Sequence, residues 1–224
     1  MVSLFNSNEG FIYILIYIIA YVMALFVAMP FHEFAHAFAA KREGDYTAVA
    51  LRRYTLAPLS HIDAKGMLFL LFFRFGWAKP VPIDSRNFKR GKLSSFLVSI
   101  AGIITNIVLG TIFLFIYYLI YKIAPNFYTS CLYGELLYLF LQLSVTLNFS
   151  LAFFNLLPVY PLDGYKIIES VLKWDSKVVE FLKNYSLIIY IGLIVTGIYY
   201  YYFEFTAGTI IRLLEKLFSM ILGV

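Results

Sequence analysis

His32-Glu33-Phe34-Ala35-His36 is the part of this sequence whose residue types and spacing suit chemistry. On a helix, His32 and His36 stand one turn apart and project from the same face. Two imidazoles so placed can bind one Zn2+ through nitrogen at about 2.0–2.1 Å. Glu33, offset by one residue, can reach a water activated by that metal, take its proton and later hand it to a leaving amine. That is peptide-bond hydrolysis by the HExxH arrangement. A chance match is the alternative. The surroundings argue against it, because Phe11–Ala40 is an apolar run broken only by Pro30 and the motif itself. Counted back from Lys41 at ~1.5 Å per residue, His36 lies roughly 7 Å and His32 roughly 13 Å inside that run. Ionisable residues at such depth are costly and by default mark a functional site.

A catalytic zinc takes a third protein ligand and keeps one position open. Cys131 is the single cysteine, so a thiolate zinc set and an internal disulfide are both excluded, and passive packing is its expected role. The remaining histidine is His61, and the candidate carboxylates follow a later apolar run. Asp163 stands out in Asn155-Leu-Leu-Pro-Val-Tyr-Pro-Leu-Asp163-Gly164. Pro161 and Gly164 signal a turn, and Tyr165–Trp174 reads as a short helix with Asp163 near its start. Helix N-termini favour a charged carboxylate, the form a metal requires. An N-cap aspartate at a membrane boundary is the alternative reading. The HExxH upstream favours ligation.

These residues must be positioned by membrane helices. The 224 residues are 62% hydrophobic and 14% charged, against roughly 25% charged in soluble domains. Spans are predicted at about 11–40, 93–121, 132–157 and 187–203, each near the ~20 residues that cross a bilayer. Residues 209–222, with Arg212, Glu215 and Lys216 among apolar neighbours, read as an amphipathic helix at the interface, with a short fifth span as the alternative. Residues 1–10 hold no Lys or Arg, so the first span is expected to stay in the mature protein rather than leave as a signal peptide. The Tyr run 199–202 is expected in an aromatic belt at the outer end of the fourth span.

Of the 18 Lys and Arg residues, eleven fall in 41–92, while 122–131 holds only Lys122. The positive-inside rule then places 41–92 and 158–184 in the cytoplasm, with residues 1–10 and 122–131 outside. The net charge of +5 belongs to loops flanking apolar spans and is not a nucleic-acid signal. Within 46–83, Thr47–Tyr54 is rich in β-formers, and Met67–Phe75 is too short to span and is bounded by Gly66 and Gly76. A small membrane-associated β-sheet or hairpin is expected there. The fold class is thus an α-helical polytopic membrane protein of about four spans, with one domain over 1–224.

FHEFAHA on the first span together with NLLPVYPLDG after the third resembles the site-2 protease family of intramembrane zinc metalloproteases. Gly76-Trp-Ala-Lys-Pro80-Val81 resembles that family's G-x-x-x-P-V segment, and Ser60-His61-Ile62-Asp63 with Gly66 its H-I-D-x-x-G stretch. Ala101-Gly102-Ile-Ile-Thr-Asn106 is similar to its A-G-P-x-x-N motif, with Ile103 in place of proline. The likeness covers roughly residues 20–175 and implies a minimal form without a PDZ or CBS domain.

The resemblance implies His32, His36 and Asp163 as ligands of one Zn2+ per chain and Glu33 as general base. It points to Asn155 for holding the substrate backbone or the developing oxyanion, interhelical hydrogen bonding being the simpler alternative. Asn106 is balanced between supporting the site and packing, and His61 is expected to be structural. The G-x-x-x-P-V region implies an edge strand that pairs with an unwound substrate. The implied activity is cleavage of transmembrane protein substrates in the cell membrane, near its cytoplasmic face. A metal transporter or an inactive scaffold is the alternative. The sequence is silent on substrate identity and oligomeric state.

Overall fold

The computed structural model describes residues 8–61, 63, 66, 79–172 and 176–224. Three long helices dominate: α1 (Asn8–Arg42), α2 (Lys92–Ile123) and α3 (Leu132–Leu156). At ~1.5 Å per residue each exceeds the ~30 Å hydrocarbon core of a bilayer, and each is apolar enough to cross it. They pack on one another.

The packing of α1 follows from every fourth residue being small or polar. Ala20, Ala24, Ala28, His32, His36 and Ala40 are all buried, the four alanines completely. Small side chains let helix backbones approach closely in lipid, where burial of apolar surface provides little drive. Steps of four residues also drift about 40° around a helix. Accordingly the early part of the stripe meets α3, where Ile16 and Ala20 pack on Leu139. The later part meets α2, where His36 contacts Val98. The two metal-type histidines thus occupy seam positions that alanines hold elsewhere. The α2–α3 contact closes at Gly110, where an added Cβ would stand 2.8 Å from the Phe149 ring.

The other α-helices of six or more residues among the described residues are α4 (Asp163–Val171), α5 (Lys177–Asn184), α6 (Ser186–Val195), α7 (Ile198–Phe203) and α8 (Thr209–Leu222). The expected fourth span, 187–203, is not one helix. Gly197 adopts a left-handed conformation (φ 68°) between α6 and α7, a geometry glycine enters without steric cost. Tyr190 and Tyr199, nine residues apart, would point to opposite faces of a straight helix. The break brings both rings onto Phe154. Among the described residues, a fourth segment long and apolar enough to cross is found if α5 and α6, bent by 65° at their junction, count as one span.

Within the tyrosine run, Tyr200 and Tyr201 are exposed. The Tyr202 hydroxyl donates to the Phe153 carbonyl at 3.0 Å, near the end of α3 that leads to Asp163. Residues 209–222 form α8 as a helix, and its Phe218 is buried with Leu114, Val145, Phe149, Phe153 and Ala207.

The β-sheet expected in 46–83 is not found among the described residues, which contain no strand. Thr47–Ala50 is instead a single helical turn. Asp45 accepts hydrogen bonds from the Thr47 backbone N–H at 3.0 Å and from the Thr47 hydroxyl at 2.5 Å. These local bonds favour a turn over a strand at Thr47-Ala-Val. Pro58–Ser60 and Ser85–Asn87 are likewise short turns. The expected apolar strand Met67–Phe75 lies outside the described residues.

Candidate metal centre

Each metal-type side chain comes from a helix whose neighbours fix its direction. His36 Nδ1 donates to the Val98 carbonyl of α2 at 2.7 Å. That bond fixes the tautomer and leaves the Nε2 lone pair free for a metal. His32 lies one turn earlier, and the two rings meet edge to face at 4.6 Å. α2 can pass directly over them because Gly102 has no side chain; an added Cβ would stand 2.6 Å from both His32 Cε1 and His36 Nε2.

Asp163 arrives from the other side. After α3 the chain turns through Leu157–Leu162, and α4 starts at Asp163. Gly164 makes that turn possible, since a Cβ there would overlap the carbonyl oxygens of Leu156 and Leu157. Asp163 Oδ2 stands 3.0 Å from His36 Nε2 and 3.3 Å from His32 Nε2, and the two Nε2 atoms are 3.0 Å apart. Donors at about 2.0–2.1 Å from a tetrahedral zinc are roughly 3.3 Å from one another, so the triangle has nearly the size that one ion needs. The three residues are buried, and Oδ2, though near both imidazoles, receives no hydrogen bond. An orphaned buried carboxylate oxygen aimed between two imidazole nitrogens fits a cation. Two imidazoles and one carboxylate are also a catalytic zinc donor set.

The other carboxylate oxygen, Oδ1, accepts from Lys166 Nζ at 3.1 Å, one helical turn along α4.

Glu33 sits off the buried stripe and is half-buried. Its Oε2 accepts the backbone N–H of Val81 at 2.7 Å. Asn155 is not drawn into this cluster. Its amide donates to the Leu151 carbonyl of its own helix at 2.9 Å, which is neither a bond to a neighbouring helix nor a contact with the metal-type residues. Asn106 is fully buried in α2, and neither of its amide atoms has a partner. His61 is fully buried in the insert, with Nε2 on the Thr55 carbonyl at 2.7 Å, apart from the three-residue cluster.

Several neighbours of the cluster were not evident as such in the sequence: Lys166, the Val81 amide, the Val98 carbonyl and the notch at Gly102. Only Lys166 had a local signal, being three residues after Asp163 on a short helix, where side chains meet.

The profile of peptidase family M50 matches residues 20–198, a stretch that contains every residue of the cluster. The chain is also 36% identical over 204 residues to "Putative zinc metalloprotease YwhC" of Bacillus subtilis (strain 168), a match covering 88% of this chain and 92% of that protein. No solved structure matches it significantly. With well over half of the chain matched by one family profile, and that match spanning the motif helix, α2, α3 and the Asp163 turn, the chain belongs to peptidase family M50.

Proposed function

We propose that this chain is an intramembrane zinc metalloprotease that hydrolyses peptide bonds within or near transmembrane segments of membrane proteins. The observation that carries the reading is the triangle of His32, His36 and Asp163 donor atoms, within 4.8 Å of one another, beside Glu33 on a membrane-length helix. Zinc is favoured by the donor set and by the name of the B. subtilis relative. Bound there, it would supply Lewis acidity, lowering the pKa of a water to about 7.

The residues of the chain do the rest. His36, oriented by Val98, and Asp163, steadied by Lys166, hold the ion, with His32 as the remaining ligand. Glu33 takes the proton of the attacking water and delivers it to the leaving amine. Asn155 is placed by this reading on the substrate backbone or the developing oxyanion, for which its amide would exchange the bond to Leu151 for one to substrate. The eleven basic residues in 41–92 support a cytoplasmic location for the end of α1 that carries the motif.

The test is Glu33→Gln in the purified protein. Turnover of a reconstituted reporter with a single transmembrane segment should fall at least about a thousandfold while zinc remains at one per chain. Full turnover in that variant would rule out the mechanism.

A further inference from the structure

The chain returns from the insert to α2 through residues 79–91, and at the start of this strap the backbone polar groups are taken up inward. The Lys79 N–H donates to the His61 carbonyl at 2.9 Å. The Lys79 and Pro80 carbonyls accept from Arg53 Nη2 at 2.8 and 3.2 Å. The Val81 N–H is on Glu33. Pro80 and Pro82 have no N–H at all. From Pro80 to Pro82, therefore, no donor remains for an added substrate strand. Pro80 and Val81 lie in no strand, and Gly76–Ala78 of the G-x-x-x-P-V segment lie outside the described residues.

What this strap does is grip Glu33. The Val81 side chain is buried against Ala37, one turn beyond Glu33 on α1, and against Ala48. Its amide then meets Glu33 Oε2. Glu33 Oε1 has no hydrogen bond among the described residues, so one carboxylate oxygen is pinned and the other is left for chemistry. The strap is in turn anchored to the chain just beyond α1. Asp45 is 1% exposed and has no cationic partner among the described residues. Its Oδ2 accepts the Asp84 N–H at 2.8 Å, and its Oδ1 accepts Asn87 Nδ2 at 2.9 Å. Asp84 is three residues from Val81. Asp45 thus ties the end of the motif helix to the strap that returns to the motif.

We propose that Asp45 is a positioning residue for the general base: by clamping Asp84 and Asn87 to the end of α1, it seats the Val81 amide on Glu33. The proposal rests on the reading of Glu33 as base. A carboxylate held at one oxygen presents the other in one direction, and small misplacements of a reacting group cost up to about a hundredfold in rate.

The experiment uses the purified full chain in detergent and has two readouts. The first is turnover of the single-span reporter. Asp45→Ala should lower kcat roughly ten- to a hundredfold, with KM within about twofold and zinc content unchanged, as the loss of one hydrogen bond to a charged group would do. Val81→Pro, which removes the amide donor, should match Asp45→Ala. The second readout is hydrogen exchange at the Val81 amide, which needs no turnover. It should be protected in the wild type and exchange at least about tenfold faster in both Asp45→Ala and Glu33→Ala. Unchanged kcat in Asp45→Ala, or a Val81 amide equally fast in all three proteins, would overturn the proposal. So would loss of zinc or global unfolding in Asp45→Ala, which would make Asp45 merely structural. Full activity of Glu33→Gln would instead overturn the base assignment, and the exchange result would still report whether Asp45 seats the amide.

Discussion

Gly102 of α2 lies against His36 so closely that a single added carbon would stand 2.6 Å from the imidazole Nε2. Real Cβ atoms do not approach that near, so the absence of a side chain at residue 102 shapes the candidate metal centre. Gly102→Ala should displace the imidazoles. Zinc retained after dialysis against a weak chelator should fall at least about tenfold, with turnover falling in parallel. The cost in stability should be about 1–3 kcal/mol, as for other overpacked cores. Wild-type zinc content in this variant would show that α2 can move aside.

Metal removal should be reversible and should lower stability. A strong chelator should abolish turnover, and added zinc should restore it. At free zinc about a thousandfold above the dissociation constant, binding should add about 4 kcal/mol to unfolding. Differential scanning of apo and zinc-loaded protein in detergent measures this directly. His32→Ala, His36→Ala and Asp163→Ala should each lose the shift.

Lys166 should tune the centre without belonging to it. Its ammonium holds Oδ1 of Asp163 while Oδ2 faces the imidazoles. Lys166→Met should weaken zinc binding or turnover about ten- to a hundredfold, the usual scale for groups that orient a ligand. Lys166→Arg should recover most of the loss. Competition against a fluorescent zinc indicator distinguishes the two variants, and equal affinity in Lys166→Met would remove the residue from the site.

Acid should also loosen the far end of the strap, where Arg90 and Ser94 meet Glu43 just beyond α1. Hydrogen bonds from Arg90 and Ser94 bring the Glu43 carboxyl down from its ordinary value of 4.5 to about 2. A carboxyl lowered in the folded state adds stability above its unfolded pKa and loses it as pH falls toward the folded one. The Glu43 contribution is thus complete above about pH 5 and fades between about 4.5 and 2. Melting temperature against pH should fall less steeply in Glu43→Gln than in wild type over that window. Parallel curves would mean that the Arg90 contact adds nothing, as with many exposed ion pairs.

The residues most legible in the sequence were those whose geometry is local. His32, Glu33 and His36 are related by helical period alone, and Asp163 by a turn and a helix start that Pro161 and Gly164 announce. Long apolar runs likewise announced α1, α2 and α3. Expectation and structure part where a few specific contacts override composition. Thr47-Ala-Val has the composition of a strand, yet it forms a single helical turn whose first residue bonds the Asp45 carboxylate. Leu187–Phe203 has the hydropathy of a span, yet Gly197 divides it. The Val98 carbonyl and the Val81 amide are backbone groups, present at every residue, and nothing in the letters marks which of them meets a side chain from α1.

The buried stripe on α1 has a consequence for biogenesis. Alanines and the two histidines share one seam, and both imidazoles are translated before α2 and α4. At that stage the helix has neither the notch of Gly102 nor the carboxylate of Asp163, which is translated 127 residues after His36. A half-made chain therefore holds an incomplete ion cage. On the proposed reading, hydrolysis would wait until both α2 and α4 had docked on α1.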